Sequence, residues 1–174
     1  MASLNTSDWS SDAAAEMQLS TLRDYLGRPG FVGLKLAPPH TCLRMDGPKM
    51  EAVINAVNQS TATAAAPAAS PAALPAVFIH TGTTPFCPGG MFGENTGACC
   101  SDEYVNVARL EPLITLYSRL PWVLLHSGYD FTPSHRTDIT EQALDLASTH
   151  ANVYLEVSAM FATVGLYKLN AIEP

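Results

Sequence analysis

Residues 76–82 read AVFIHTG and residues 120–128 read LPWVLLHSG, and the two stretches share one plan. Each is a short apolar run that ends in a histidine, a small hydroxyl residue and a glycine. Short apolar runs bounded by Gly or Pro and rich in β-branched or aromatic side chains read as buried strands. Two further runs of this kind flank them: FVGLKL at residues 31–36 and NVYLEVS at residues 152–158. The strands are therefore expected at Phe31–Leu36, Val77–Thr81, Trp122–His126 and Asn152–Ser158.

Working outward, every gap between strands carries a helical pattern. From Asp12 to Leu26, Ala15, Leu19, Leu22 and Leu26 form one apolar stripe, which Gly27, Pro29 and Gly30 end. A second helix is expected from about Pro48 to Asn58, with Met50, Val53, Ile54 and Val57 on one face and Pro48 in the first turn. A third covers Val105 to Arg119, with Leu110, Leu113, Ile114 and Tyr117 together. Asp138 and Glu141, three apart, form a capping pair for a fourth that runs to about His150 and buries Ala143, Leu144 and Ala147. Met160 to Leu169 begins one more. Between helix two and the second strand, an Ala/Pro/Ser-rich tract at about residues 59–76 reads as a flexible surface insertion, because its prolines forbid a continuous helix.

Strands that alternate with helices imply parallel βαβ units, right-handed crossovers and a sheet covered on both faces. The fold class is α/β, with about four parallel strands. Each strand is apolar until a polar residue arrives at or near its end: Lys35, His80, His126 and Glu156. Parallel α/β folds place ligands at the C-terminal ends of their strands, so these four residues mark the expected site. Imidazole is the commonest metal ligand and the usual acid–base near neutral pH, and a glycine after each histidine leaves the mouth of a site open. Structural roles compete for each residue. Lys35 is either a ligand-facing cation or a salt-bridged strand residue, and Glu156 an acid that orients a histidine. Tyr129 and Asp130 either line the pocket or make a turn. His40 is a lesser candidate for substrate contact, whereas His135 and His150 are expected in solvent.

Composition removes several function classes. The chain has 174 residues, 47% hydrophobic and 14% charged, which suits one globular domain with a real core. A net charge of -7 with scattered Lys and Arg argues against nucleic-acid binding. No run of about 18 apolar residues spans a membrane and no secretory leader is recognisable, so the expected compartment is the cytoplasm. No GxGxxG or Walker loop follows a strand, which sets aside a nucleotide-binding domain. Cys42, Cys87, Cys99 and Cys100 lack zinc-finger spacing and are read as reduced loop thiols.

The strings GRPGFVGLKLAPPH, AVFIHTG, LPWVLLHSGYD and NVYLEVSA, in this order and spacing, resemble the amidohydrolase-related family of metal-dependent hydrolases. The branch is the one that contains aminocarboxymuconate-semialdehyde decarboxylase, and the likeness covers about residues 15 to 165. It implies a TIM-type (β/α) barrel, here partial, as a single domain over residues 1–174. It further implies one divalent metal, usually zinc, with His80 as a metal ligand and His126 beside it as the catalytic histidine. Lys35, Glu156, Tyr129 and Asp130 are then substrate-binding or supporting residues. The implied activity is hydrolysis of a C–N or ester bond, or decarboxylation, of a small molecule. The pattern also departs from the family. No HxH pair occurs, and the chain reaches NAIEP before a strand bearing the family's aspartate. The expectation is thus an incomplete or degenerate barrel, with self-association covering its open edges. The alternative is a non-catalytic half-barrel, a binding or assembly module that has lost the metal site.

Overall fold

A computed structural model of the chain describes residues 2–3, 9, 11–63, 75–90, 92 and 97–158. The elements run β1 (Ala2–Ser3), α1 (Asp12–Leu26), β2 (Gly33–Leu36), α2 (Pro38–Thr41), α3 (Pro48–Thr63) and β3 (Ala76–His80). They continue with α4 (Asp102–Val105), a 3-10 turn at Val107–Leu110, α5 (Glu111–Leu116), β4 (Trp122–Leu125), a tight turn at His126–Gly128, α6 (Asp138–Thr149) and β5 (Val153–Glu156). The helix expected at Met160–Leu169 and most of the Ala/Pro-rich tract lie outside the described residues. α3 runs on to Thr63, past the expected start of that tract.

All strand pairs are parallel, and the sheet order is β1-β2-β3-β4-β5, the order of the chain itself. Right-handed crossovers in a sheet wound in one direction bring every helix to the same face. The register shows it. Leu34, Val77, Trp122 and Val153 stand side by side, as do Leu36, Ile79, Leu124 and Leu155. These two rows merge with Leu19, Leu22, Val53, Ile54, Val57, Leu110, Ile114 and Ala143 of the helices in one core. The opposite row is Lys35, Phe78, Val123 and Tyr154, with Lys35 and Tyr154 exposed and the other two half-buried. The expectation of two covered faces is therefore corrected: among the described residues, helices cover one.

Local chemistry explains where the elements stop. Ser11 caps α1 by accepting the Ala14 N–H at 3.2 Å. The helix expected over Val105–Arg119 is broken into a 3-10 turn and α5, because Pro112 has no N–H to continue the ladder from the preceding turn. The expected capping pair of α6 does not form. Thr137 is the N-cap and makes no side-chain bond, and Asp138 instead pairs with Arg136. Leu144 points outward at 43% exposure, and Ile139 and Leu146 take its place beside Ala143 in the core. Trp122 fills the centre of the sheet fully buried, and its indole N–H finds no partner among the described residues.

Candidate functional site

The C-terminal ends of the strands gather the polar residues. His80 closes β3 and lies on one rung with Leu125 and Glu156. Lys35 stands two rungs lower on the same open face, beside Phe78. His126 follows β4 directly. Alternation along the strands puts Lys35, His80 and Glu156 on one face of the sheet, whereas His126, one residue past Leu125, joins them only through the turn it begins.

His126 sits in unusual backbone. His126, Ser127 and Gly128 have φ of 63°, 47° and 73°, three left-handed residues in succession, where only the glycine is at ease. Several hydrogen bonds offset that strain. The His126 carbonyl accepts the Tyr129 N–H at 2.8 Å, and Glu156 Oε2 accepts the His126 N–H at 3.3 Å. The Ser127 hydroxyl donates to the Glu156 carbonyl at 3.0 Å. Thr81 joins the two loops: its hydroxyl donates to the Leu125 carbonyl at 2.9 Å and accepts the Gly128 N–H at 2.8 Å. The turn throws the His126 ring over β3, so that its centroid lies 4.7 Å from that of His80, edge to face.

The glycines act by close approach rather than by opening the mouth. A Cβ on Gly82 would lie 2.2 Å from the Tyr129 carbonyl oxygen, and one on Gly128 would lie 2.5 Å from that of Ile139. Gly82 is needed because the two strand-end loops touch backbone to backbone, and Gly128 because its turn packs on the first turn of α6.

Carbonyl partners define how each imidazole carries its proton. His80 Nε2 lies 3.0 Å from the Thr83 carbonyl oxygen, so that nitrogen bears the hydrogen and Nδ1 keeps the lone pair. His126 Nδ1 lies 2.9 Å from the Ser158 carbonyl oxygen, which leaves the lone pair on Nε2 of the neutral ring. Burial drives the His80 pKa down to about 3, against the Thr83 hydrogen bond and helped by His126, His40 and Lys35 nearby. Its imidazole is neutral at pH 7. Glu156 Oε2 is 3.9 Å from His126 Nδ1. Burial pushes the Glu156 carboxyl up, but hydrogen bonds from the Ser158 hydroxyl and the His126 and Ser158 N–H groups outweigh it, and the net shift is downward.

Two roles separate from the rest. Asp130 is fully buried and accepts from the Thr83 hydroxyl at 2.7 Å, the Thr132 N–H at 2.9 Å and hydroxyl at 2.7 Å, the Arg136 N–H at 2.8 Å and the Ser134 hydroxyl. Burial alone would raise its pKa, yet these donors hold it well below the usual carboxylate range. Asp130 organises the turn and ties it to the loop of β3. Tyr129 is buried and packs edge-on against Phe131, 4.8 Å between centroids.

Residues that sequence reasoning missed complete the rim. Phe131 lies edge-on to His126 at 5.7 Å, and Phe86 to His40 at 5.6 Å. His40 meets His80 at 5.5 Å, also edge-on, so three histidines stand in a row. The run of hydroxyls in HTGTT, Thr81, Thr83 and Thr84, was the available sign of bracing. His135 is exposed, as expected, but His150 is not: it closes α6 with its ring 17% exposed and Nε2 3.6 Å from Glu111.

All four cysteines are paired, which corrects the expectation of reduced thiols. Cys42 joins Cys99, and Cys87 joins Cys100. The adjacent cysteines thereby pin two different loops at the strand ends. A cleft of about 460 Å³ lies at the other ends of the strands, lined by Arg119, Pro121, His150 and Asn152. It contains none of the strand-end histidines.

The implied zinc does not fit the residues in place. No group of three His, Cys, Asp or Glu side chains among the described residues could hold a metal ion. His80 keeps its Nδ1 lone pair, but a single protein ligand does not hold catalytic zinc. No described helix is long and apolar enough to cross a membrane. No family model, curated protein or solved structure matches the chain.

Proposed function

We propose that this chain is part of an amidohydrolase-type hydrolase or decarboxylase, a partial (β/α) barrel that supplies the acid–base side of a site for a small molecule. The observation that carries this reading is the His80–His126 pair, two rings 4.7 Å apart at neighbouring strand ends with one unprotonated nitrogen each. Two such nitrogens accept hydrogen bonds from a ligand's O–H or N–H, and His126, the less buried of the two, takes the proton. Lys35 on the same face suits a carboxylate on the substrate, and the Phe86 and Phe131 rings suit a flat or cyclic one. A divalent metal, usually zinc, belongs to this reading only if its other ligands come from outside the described residues.

The second reading is a non-catalytic half-barrel that binds or assembles. Among the described residues, the want of a three-ligand group and of helices over the second sheet face favours it. On either reading the open face and edges support self-association, with a small molecule rather than nucleic acid as the ligand. The two disulfides support an oxidising compartment in place of the cytoplasm.

Assay of the purified chain with small esters and amides separates the readings. Hydrolysis that is lost in His126→Ala and weakened in His80→Ala is the expected result for the enzyme. No turnover, with aromatic carboxylates still bound, would leave the binding module.

A further inference from the structure

His40 reaches the histidine row from a segment with little regular structure behind it. It sits in α2, a helix of four residues, and its side of the chain is fastened twice to one short stretch. The Cys99 N–H donates to the Pro39 carbonyl at 2.8 Å, and Cys42 is bonded to Cys99, 5.2 Å between Cα atoms. Cys42 itself is left-handed, with φ of 49°. Residues on both sides of His40 are therefore held by Cys99. The ring's other neighbour, Phe86, precedes Cys87, which Cys100 holds. The two disulfides differ in access at one sulfur each: Cys99 and Cys100 are both half-buried, but Cys42 is exposed whereas Cys87 is 1% exposed.

We propose that the Cys42–Cys99 disulfide is a positioning device that keeps His40 against His80, and that a dithiol reductant releases His40 while Cys87–Cys100 stays closed. The thiolate of the dithiol attacks one sulfur of the exposed disulfide, and the other sulfur leaves as a thiolate that takes up a proton. The second thiol of the reductant then resolves the mixed disulfide. The net change is two electrons and two protons onto Cys42 and Cys99, with the reductant oxidised to its own disulfide. Freed of the bond, the end of α2 that carries His40 keeps the Pro39 contact to Cys99 and the packing of the buried Pro38 and Pro39, but loses its covalent tie at Cys42. The importance of His40 for a ligand rests on the histidine row being the functional site, but its release does not.

The test is imidazole NMR of the full chain during a titration with dithiothreitol, with mass spectrometry of alkylated thiols alongside. Cys42–Cys99 is expected to open at about tenfold lower reductant than Cys87–Cys100. At that point the cross-peak between the His40 and His80 rings disappears while that between His80 and His126 persists. The Cys42→Ser/Cys99→Ser double variant is expected to show the same loss without reductant. Persistence of the His40–His80 cross-peak with Cys42 and Cys99 reduced overturns the proposal, and so does simultaneous opening of both disulfides. Should the double variant not fold, the titration of the natural chain decides by itself. Neither readout involves zinc or turnover, so failure here is distinct from failure of the proposed function.

Discussion

A histidine buried as a neutral ring makes folding sensitive to acid, and His80 is such a residue. Its pKa is about 3 in the folded chain against 6.5 for an unperturbed histidine. Between those values the unfolded chain binds a proton that the folded chain refuses, so stability is complete above about pH 6.5 and falls as pH drops toward 3. The slope is about 1.4 kcal/mol per pH unit, or on the order of 2 kcal/mol between pH 6.5 and 5. Urea midpoints at the two pH values should show this loss, and His80→Asn should remove it. Asp130 acts in a different window. Its pKa is depressed, so its contribution is present above the unfolded value of about 3.9 and is lost below it. Asp130→Asn should leave the pH 6.5 to 5 slope intact. Gly128 is a third test at this scale, because alanine there meets both a positive φ and the Ile139 carbonyl. Gly128→Ala should cost at least about 2 kcal/mol in a chemical melt.

Strand β4 shows what an element adds to its residues. Trp122 and Leu124 are buried against the helices, while Val123 and Leu125 face the open side half-buried. Truncation on the two faces should therefore differ. Leu124→Ala opens a cavity in the core and should cost about 2–5 kcal/mol, whereas Val123→Thr should cost under about 1 kcal/mol. Denaturant midpoints of the pair measure the asymmetry, and equal losses would mean that something covers the second face. The element positions themselves were legible from apolar periodicity, since Met50, Val53, Ile54 and Val57 all reach full burial. Element ends were less so. Pro112 splits a helix that the apolar stripe alone draws as continuous, and Arg136 takes Asp138 away from a capping role.

For the whole molecule, the consequence of a sheet wound in one direction is a face that carries Lys35, Phe78, Val123 and Tyr154, over which none of the described helices lies. Exposed apolar patches of this kind drive association. Sedimentation of the oxidised chain should show a concentration-dependent oligomer that Tyr154→Lys weakens without lowering the melting temperature of the dilute protein. A monomer at every concentration would speak against self-association through this face. The sequence by itself determined the alternation of strands and helices and the placement of Lys35, His80, His126 and Glu156 at strand ends. Those features follow from local periodicity and from the short reach of one residue type. Only the tertiary structure decided that HTG and HSG pack glycine to backbone, that Asp130 braces a turn, that the described helices all lie on one sheet face and that Cys99 and Cys100 bind different loops. Each of these depends on segments tens of residues apart meeting in space, and no local pattern encodes which surface a side chain will meet. The two histidines that first mark the chain end up as neighbours for that reason: a left-handed turn, held by Thr81 and Glu156, folds one over the other.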